Sequence, residues 1–399
     1  MKHIVIVGGG AAGFFAALSC AEHHPDYKIT ILEKAPKLLG KVLISGGGRC
    51  NVTHHCFDVR ELVKNYPRGE KQLIGPFTRF NPTHTIEWFK LRGVKLKAEA
   101  DGRMFPVTDS SQTIIDCYLS EARRMKVDVR TQIGVNNLEE HNGKWKVLTN
   151  RNETIIADAV IITAGSSMST WQMLEKLGHS IVPSVPSLFT FNIKDERIKG
   201  LEGISVPKAA VSVVGTKLSN SGPLLITHWG MSGPGILRLS AWGARILADK
   251  QHKFEIDVNW LGDKTQNEVV EYFKSYKANH PKQIVGSNPQ FGLPSRLWDK
   301  LTGEAIKPLR FADLSNKHIT ELAMQLCTGR YAVNGKSTFK DEFVTAGGVS
   351  LSEVDFKTMQ SKKLPGIYFA GEVLDIDAIT GGFNFQAAWT TGFIAGTSV

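Results

Sequence analysis

The stretch His3-Ile-Val-Ile-Val7-Gly8-Gly9-Gly10-Ala11-Ala12-Gly13-Phe14, with Lys28-Ile-Thr-Ile-Leu32-Glu33 behind it, decides the fold. His3–Val7 is a short β-branched run, read as a buried parallel strand. Gly8-x-Gly10-x-x-Gly13 follows, and Phe14 to Ala21 reads as a helix. A second strand, Lys28–Leu32, ends at an acid, Glu33. Strand, glycine turn, helix, strand and acid in this order form the dinucleotide-binding unit. Gly8 allows the tight turn, Gly10 lets the backbone approach a pyrophosphate, and Gly13 lets the helix pack closely on the strand. The helix N-terminus offers free N–H groups and partial positive charge to phosphate. Glu33 is placed to accept hydrogen bonds from ribose hydroxyls.

The same apolar start resembles a secretory signal peptide, with Lys2 and His3 ahead of it and Ser19-Cys20-Ala21 after it. Three consecutive glycines inside the run oppose that reading, because each weakens a helical segment. No stretch supplies about 18 uninterrupted apolar residues, so no membrane span is expected.

The 399 residues suggest two or three domains, and 42% hydrophobic content is enough for a sizeable core. Glycines cluster without a fixed period, which excludes a fibre or solenoid. Five cysteines (Cys20, Cys50, Cys56, Cys117, Cys327) are too few for a disulfide scaffold and point to a reducing cytoplasm. The net charge of +10 is spread along the chain without a long run. Residues 60–130 hold 14 basic and 9 acidic residues.

Two further glycine segments extend the site. Lys34 and Lys41 lead into Ile44-Ser45-Gly46-Gly47-Gly48-Arg49-Cys50-Asn51-Val52-Thr53. A second glycine loop with an Arg suits a long, doubly phosphorylated ligand that runs past the first loop. Near the other end, Gly366-Ile-Tyr-Phe-Ala-Gly371-Glu372 reads as a strand ending in an acid. Asp375, Asp377 and Gly381-Gly382-Phe383-Asn384-Phe-Gln386 follow, then an apolar small-residue helix.

With Asp101–Asp109, Ala157–Gly165, Thr227–Leu237 and Val344–Leu351, these stretches resemble the BaiN-like (YhiN-like) FAD-dependent oxidoreductases of bacteria, also called the aminoacetone oxidase family. The resemblance runs through essentially the whole chain in order. It implies an α/β fold: a Rossmann-like FAD-binding domain of glutathione-reductase type, with inserted β-rich and helical domains. It also implies bound FAD. The residues carried over to the cofactor are Gly8, Gly10, Ala11, Ala12, Gly13, Glu33, Lys34, Lys41, Ser45, Gly46, Gly47, Arg49, Cys50, Asn51, Ala164, Gly165, Gly371, Glu372, Asp377, Gly381, Gly382, Phe383 and Asn384. Glu372 is implied at the ribityl chain or a nearby hydroxyl, and the Gly381-Gly382 helix start at the pyrimidine end of the flavin. Two positions depart from the family pattern. Thr163-Ala-Gly-Ser stands where an Ala-Thr-Gly-Gly type turn is usual, and Phe383 where Tyr is common. Both keep the small turn or the ring.

The expected organisation is 1–188 with 346–399 as the FAD domain, 189–258 with 331–345 as the β-rich domain, and 259–330 as the helical domain. Between 60 and 188, Ile115, Tyr118, Leu119 and Ala122 mark a helix. One helix is expected from about 234 to 248. Ser315 or Asn316 caps another that carries Ile319, Leu322, Ala323 and Leu326. Two chain crossings between domains predict a cleft that takes the ligand.

The flavin supplies the redox chemistry, and the protein supplies orientation and electrostatics. His228, in a glycine-rich turn, is the foremost candidate proton donor, because His changes charge near neutral pH. Its alternative is a turn histidine that only hydrogen-bonds backbone. Asn51 and Asn384 are the further catalytic candidates. Cys50 and Cys56 tempt comparison with a redox pair, but five residues separate them, and Cys50 is read as a packing residue. His54-His55-Cys56 lacks a second ligand pair, so no metal site is assigned. Only one full dinucleotide fingerprint is present, so NADH or NADPH is expected to dock transiently.

The reading is a cytoplasmic flavoenzyme, monomeric or a weak homodimer, with no stable nucleic-acid or membrane partner. It is expected to move a hydride between flavin N5 and a small organic substrate, and the family resemblance implies either an NAD(P)H-dependent reductase of activated C=C bonds or an amine oxidase. The rival reading, raised by the +10 charge, is a flavin-dependent protein acting on RNA. No RRM or KH signature accompanies it.

Overall fold

The computed structural model describes residues 1–337 and 344–399. The chain divides into two compact units, 1–185 with 340–399 and 186–339.

The first unit is built on a seven-stranded sheet. His3–Val7 lies inside it, parallel to Lys28–Glu33 on one side and to the central strand Ala159–Ile162 on the other. Asp128–Thr131 and Ile367–Phe369 extend the parallel order outward, and Val354–Asp355 with Gln360–Ser361 add an antiparallel edge. Ile4, Val5 and Ile6 are fully buried, as a strand covered on both faces requires. The crossover carries an antiparallel meander of Val135–His141, Lys144–Thr149 and Thr154–Ala157. The expected helix over 115–122 is Gln112–Arg124.

The last helix, Phe383–Ser398, returns to pack on the first, Ala11–His23. A Cβ on Gly392 would lie 2.8 Å from the Ala12 carbonyl oxygen, and one on Gly396 2.2 Å from that of Ala16. Glycine there is what lets the two backbones touch. The last helix is buried on nearly every side, so its sequence shows no amphipathic stripe.

The second unit has its own seven-stranded sheet, in the order Gly329–Asn334, Lys253–Asn259, Ser205–Val213, Ser219–Thr227, Gly230–Ser232, Thr190–Asn192, Lys336–Ser337. The helices Gln266–Asn279, Ser295–Ile306 and Asn316–Thr328 pack with it. Ser315 caps the last of these, accepting the His318 N–H at 3.2 Å. Separate β-rich and helical domains, expected on either side of 258, are not what the structure contains. Val211, Ile256 and Val258 from the strands share one core with Phe273, Trp298 and Leu322 from the helices. Each layer has one apolar face, and the two faces bury each other. The single helix expected over 234–248 is two, Pro234–Trp242 and Ala244–Asp249, divided at Gly243. The strands expected over 331–345 are met up to Ser337 and again from Val344, which begins a strand paired with Ile181–Ser187. Residues 338–343 lie outside the described residues.

Candidate cofactor site

The first glycine turn has the geometry its spacing implies. Gly8 has φ +113°, and a Cβ there would sit 2.7 Å from the Thr163 carbonyl oxygen. A Cβ on Gly13 would lie 2.0 Å from the Gly8 carbonyl oxygen. Gly10 differs, because a Cβ there would meet nothing within 4 Å. The protein's own packing therefore does not demand a glycine at 10, whereas a phosphate approaching the backbone does. Gly10 caps the helix without a side chain, so Ala11, Ala12 and Gly13 open it with no protein side chain on their N–H groups. Glu33 accepts the N–H groups of Gly9 and Ala35, each at 2.7 Å, and so ties the second strand's end to the turn.

The acid Glu372 forms an ion pair with Lys41, and a Cβ on Gly165 would lie 3.8 Å from its Oε2. The Gly371 N–H donates to Thr391 Oγ1 at 3.0 Å. Gly371 also leaves room for Ala12, whose Cβ would be 2.8 Å from its own. The structure thus brings 8–13, 33, 41, 164–165 and 371–372 around one turn. Lys34 is exposed beyond the end of the second strand.

The second glycine loop leaves the helical turn that begins at Gly40. Ser45 turns extended, and Gly46, Gly47 and Gly48 take φ of +60°, +68° and +82°. Ser45 Oγ donates to the Val42 carbonyl at 3.0 Å. Arg49 donates to Glu99 at 2.6 Å and stacks on Phe105, 4.0 Å from the ring centre. Cys50 is fully buried at φ +59°, and burial pushes its thiol up to about 12. Such a thiol stays protonated and inert at neutral pH.

Asn51 and Asn384, expected as catalytic, each make backbone contacts. With its amide assigned from the hydrogen-bond pattern, Asn51 accepts the Gly382 N–H at 3.0 Å and donates to the Thr53 carbonyl at 3.1 Å. Asn384 accepts the Ala378 N–H at 2.9 Å and donates to its carbonyl at 3.1 Å. These are positioning contacts around the turn at Gly381 (φ +135°) and Gly382 (φ +90°). A Cβ on Gly382 would be 2.4 Å from the Thr53 carbonyl oxygen. Asp377 is fully buried and ion-paired to Arg68.

Four residues to which the sequence alone assigned no place at the cofactor, His54 and Gln386 among them, complete this region. His54 stacks on Phe383, with ring centres 4.5 Å apart. The Tyr66 hydroxyl donates to the Phe383 carbonyl at 2.6 Å. Arg68 holds Asp377, and buried Gln386 accepts the hydroxyls of Thr53 and Thr85 at 2.6 and 2.9 Å. A glutamine amid the small and apolar residues of the last helix was the one signal available.

His228 belongs to the second unit. It lies in the turn between Ser219–Thr227 and Gly230–Ser232, with its side chain 83% exposed and Glu202 4.0 Å away. The short strand Gly230–Ser232 lies between it and the helix Pro234–Trp242.

The family described as HI0933-like protein Rossmann domain matches residues 2–398, and the chain belongs to it. A 3-dehydro-bile acid delta(4,6)-reductase of Clostridium scindens is 27% identical, over 99% of this chain and 98% of its own. A ribosomal RNA dihydrouridine synthase of Escherichia coli is also 27% identical, over 98% of this chain and 96% of its own. Among solved structures, the 3-ketosteroid-delta4-(5alpha)-dehydrogenase of Rhodococcus jostii shares the fold, with a TM-score of 0.53 at 12% identity over 100% of this chain and 96% of its own. The protein is an FAD-dependent oxidoreductase. The open cradle over Gly10, the uncapped helix start and Glu33 fit that cofactor. Among the described residues no helix is long and apolar enough to cross a membrane, and no group of three or more His, Cys, Asp or Glu is arranged for a metal ion.

Proposed function

We propose that this HI0933-like protein is a reductase that saturates a C=C bond conjugated to a carbonyl. The observation that carries the reading is chemical. A delta(4,6)-reductase of a 3-dehydro-bile acid and a dihydrouridine synthase, by the meaning of their names, both add two hydrogens to such a bond. When bound, FAD would supply the hydride. The chain's residues would do the rest. The turn at 8–13 would hold the pyrophosphate, and Glu33 would meet the adenosine ribose. Glu372 and Lys41 would flank the middle of the cofactor. Asn51, Tyr66 and the Arg68–Asp377 pair fix the Gly381-Gly382 helix start, whose N–H groups favour negative charge nearby. The other carbon requires a proton from a general acid, and His228 is the candidate to be tested for it. NADH or NADPH docks transiently as the electron donor. The amine-oxidase alternative is the less favoured, because both relatives add hydrogen to their substrates.

A second reading has its own support. The same chemistry on a uracil ring makes RNA the substrate, as in the dihydrouridine synthase relative, and the basic net charge suits it. One experiment tests both. The holoenzyme is reduced anaerobically with NADH or NADPH, and reoxidation is followed at the flavin band with a cyclic enone, free uridine, an RNA or oxygen. Rapid reoxidation by oxygen alone, with no acceptor turned over, overturns the proposal.

A further inference from the structure

The positive charge is unevenly shared. Residues 186–339 hold 20 Lys and Arg against 13 Asp and Glu, so seven of the ten excess charges belong to the second unit. That unit also presents Trp229, 58% exposed, at a hairpin tip. A lone exposed apolar residue is ordinary, but this tip is firmly built. The Trp229 carbonyl accepts the Ile193 N–H at 2.9 Å, and its own N–H donates to Thr227 Oγ1 at 3.3 Å. Gly230 follows at φ +144°, where a Cβ would lie 2.3 Å from the Phe191 carbonyl oxygen. The backbone is fixed while the indole faces solvent, so little ordering remains for a partner to impose.

Next to the tip lies a groove of about 480 Å³. The Gly203 N–H donates to the Ile226 carbonyl at 2.9 Å and Glu202 lies 4.0 Å from His228, so the segment that carries Lys199 and Gly200 runs beside the hairpin. Lys199, Arg296 and Lys300 line the groove with one acid, Asp299, which Lys307 already holds at 2.6 Å. Lys199 reaches Glu196 at 2.9 Å, a solvent-exposed pair that exchanges readily for a phosphate. An exposed indole beside several cations is the combination that binds single-stranded nucleic acid, since bases stack on the ring and the cations follow the backbone.

We propose that this face of the second unit docks single-stranded RNA, with a base on Trp229 and the neighbouring phosphates at Lys199, Arg296 and Lys300. The proposal rests on the RNA form of the reading above and places the binding surface on named residues. The test is fluorescence anisotropy of a labelled oligouridine with the holoenzyme, from about 50 to 200 mM salt. Trp229→Ala is expected to weaken binding roughly tenfold or more, and Trp229→Phe to restore most of it. Lys300→Glu is expected to weaken binding and flatten its salt dependence. Both side chains are exposed, and a thermal melt of each variant checks its fold. No binding at low salt, equal binding by all variants, or equal affinity for a duplex of the same sequence overturns the proposal. Reduction of free uridine and of an enone is measured separately on the wild-type holoenzyme. Failure there removes the reductase reading and leaves the binding result standing.

Discussion

The Asn51 side-chain oxygen accepts the Gly382 N–H at 3.0 Å across 331 residues of sequence. The contact joins the end of the second glycine loop to the start of the last helix, so either segment's shape depends on the other. Asn51→Ala should therefore disturb flavin binding and flavin fluorescence without unfolding the protein. Leaving the half-buried Gly382 donor unmet costs about 1 kcal/mol. Unchanged flavin affinity and spectrum would deny the role.

Gly10 and Gly13 separate ligand from packing. Gly13→Ala drives a Cβ to within 2.0 Å of the Gly8 carbonyl oxygen and should yield a poorly folded protein. Gly10→Ala meets nothing in the protein, so the apoprotein should melt normally while binding FAD weakly. Circular dichroism melts and flavin-to-protein ratios check the pair. The flavin released on denaturation should be FAD and not FMN.

Cys50→Ser should keep FAD and most activity, because the thiol is buried and pushed up to about 12. Native protein should not react at Cys50 with a thiol reagent at pH 7. A charge-transfer band on two-electron reduction that vanishes in Cys50→Ser or Cys56→Ser would move the protein to thiol–disulfide chemistry.

His228→Ala should leave the flavin content unchanged and lower turnover roughly 10²–10⁴-fold, the usual worth of general acid help. An unchanged rate with every acceptor would return His228 to the hairpin turn as a surface residue.

Acid should loosen the first unit through His179 and Glu353. His179 Nδ1 donates to Glu353 at 2.8 Å, and Ser361 Oγ lies 3.0 Å from Nε2. Burial holds the His179 pKa below 6.5, outweighing the pull of Glu353. Burial alone would raise Glu353, but hydrogen bonds from Lys363, Ser180 and His179 bring it from 4.5 to about 2. In both cases the unfolded chain binds more protons, so stability falls as pH drops below about 6.5 and continues to fall from 4.5 toward 2. Glu353→Gln should flatten the lower part of that decline in a pH series of thermal melts.

Legibility in the sequence follows the range of each interaction. The βαβ unit around Gly8–Gly13 and Glu33 was readable because its parts lie within 33 residues and its turn demands glycine. The capped helix at 316–328 was readable for the same local reasons. Tyr66, Arg68 and Gln386 were not, because their partners lie about 300 residues away and any polar residue at those positions reads alike. Asn51 and Asn384 were recognised as belonging to the site, but their backbone partners could not be. The joining of strands and helices in 186–339 was hidden because each segment showed only its own apolar face.

The pairing of the last helix with the first gives synthesis an order. Strand Ile367–Phe369 and helix Phe383–Ser398 complete a body whose glycine turn, at residues 8–13, lies far earlier in the chain. Residues 186–339, continuous in sequence, have all their partners while that earlier body still waits for its final helix. The nucleotide turn at 8–13 therefore lacks its packing partners until residues 367–398 have been made, and capture of the flavin waits on them.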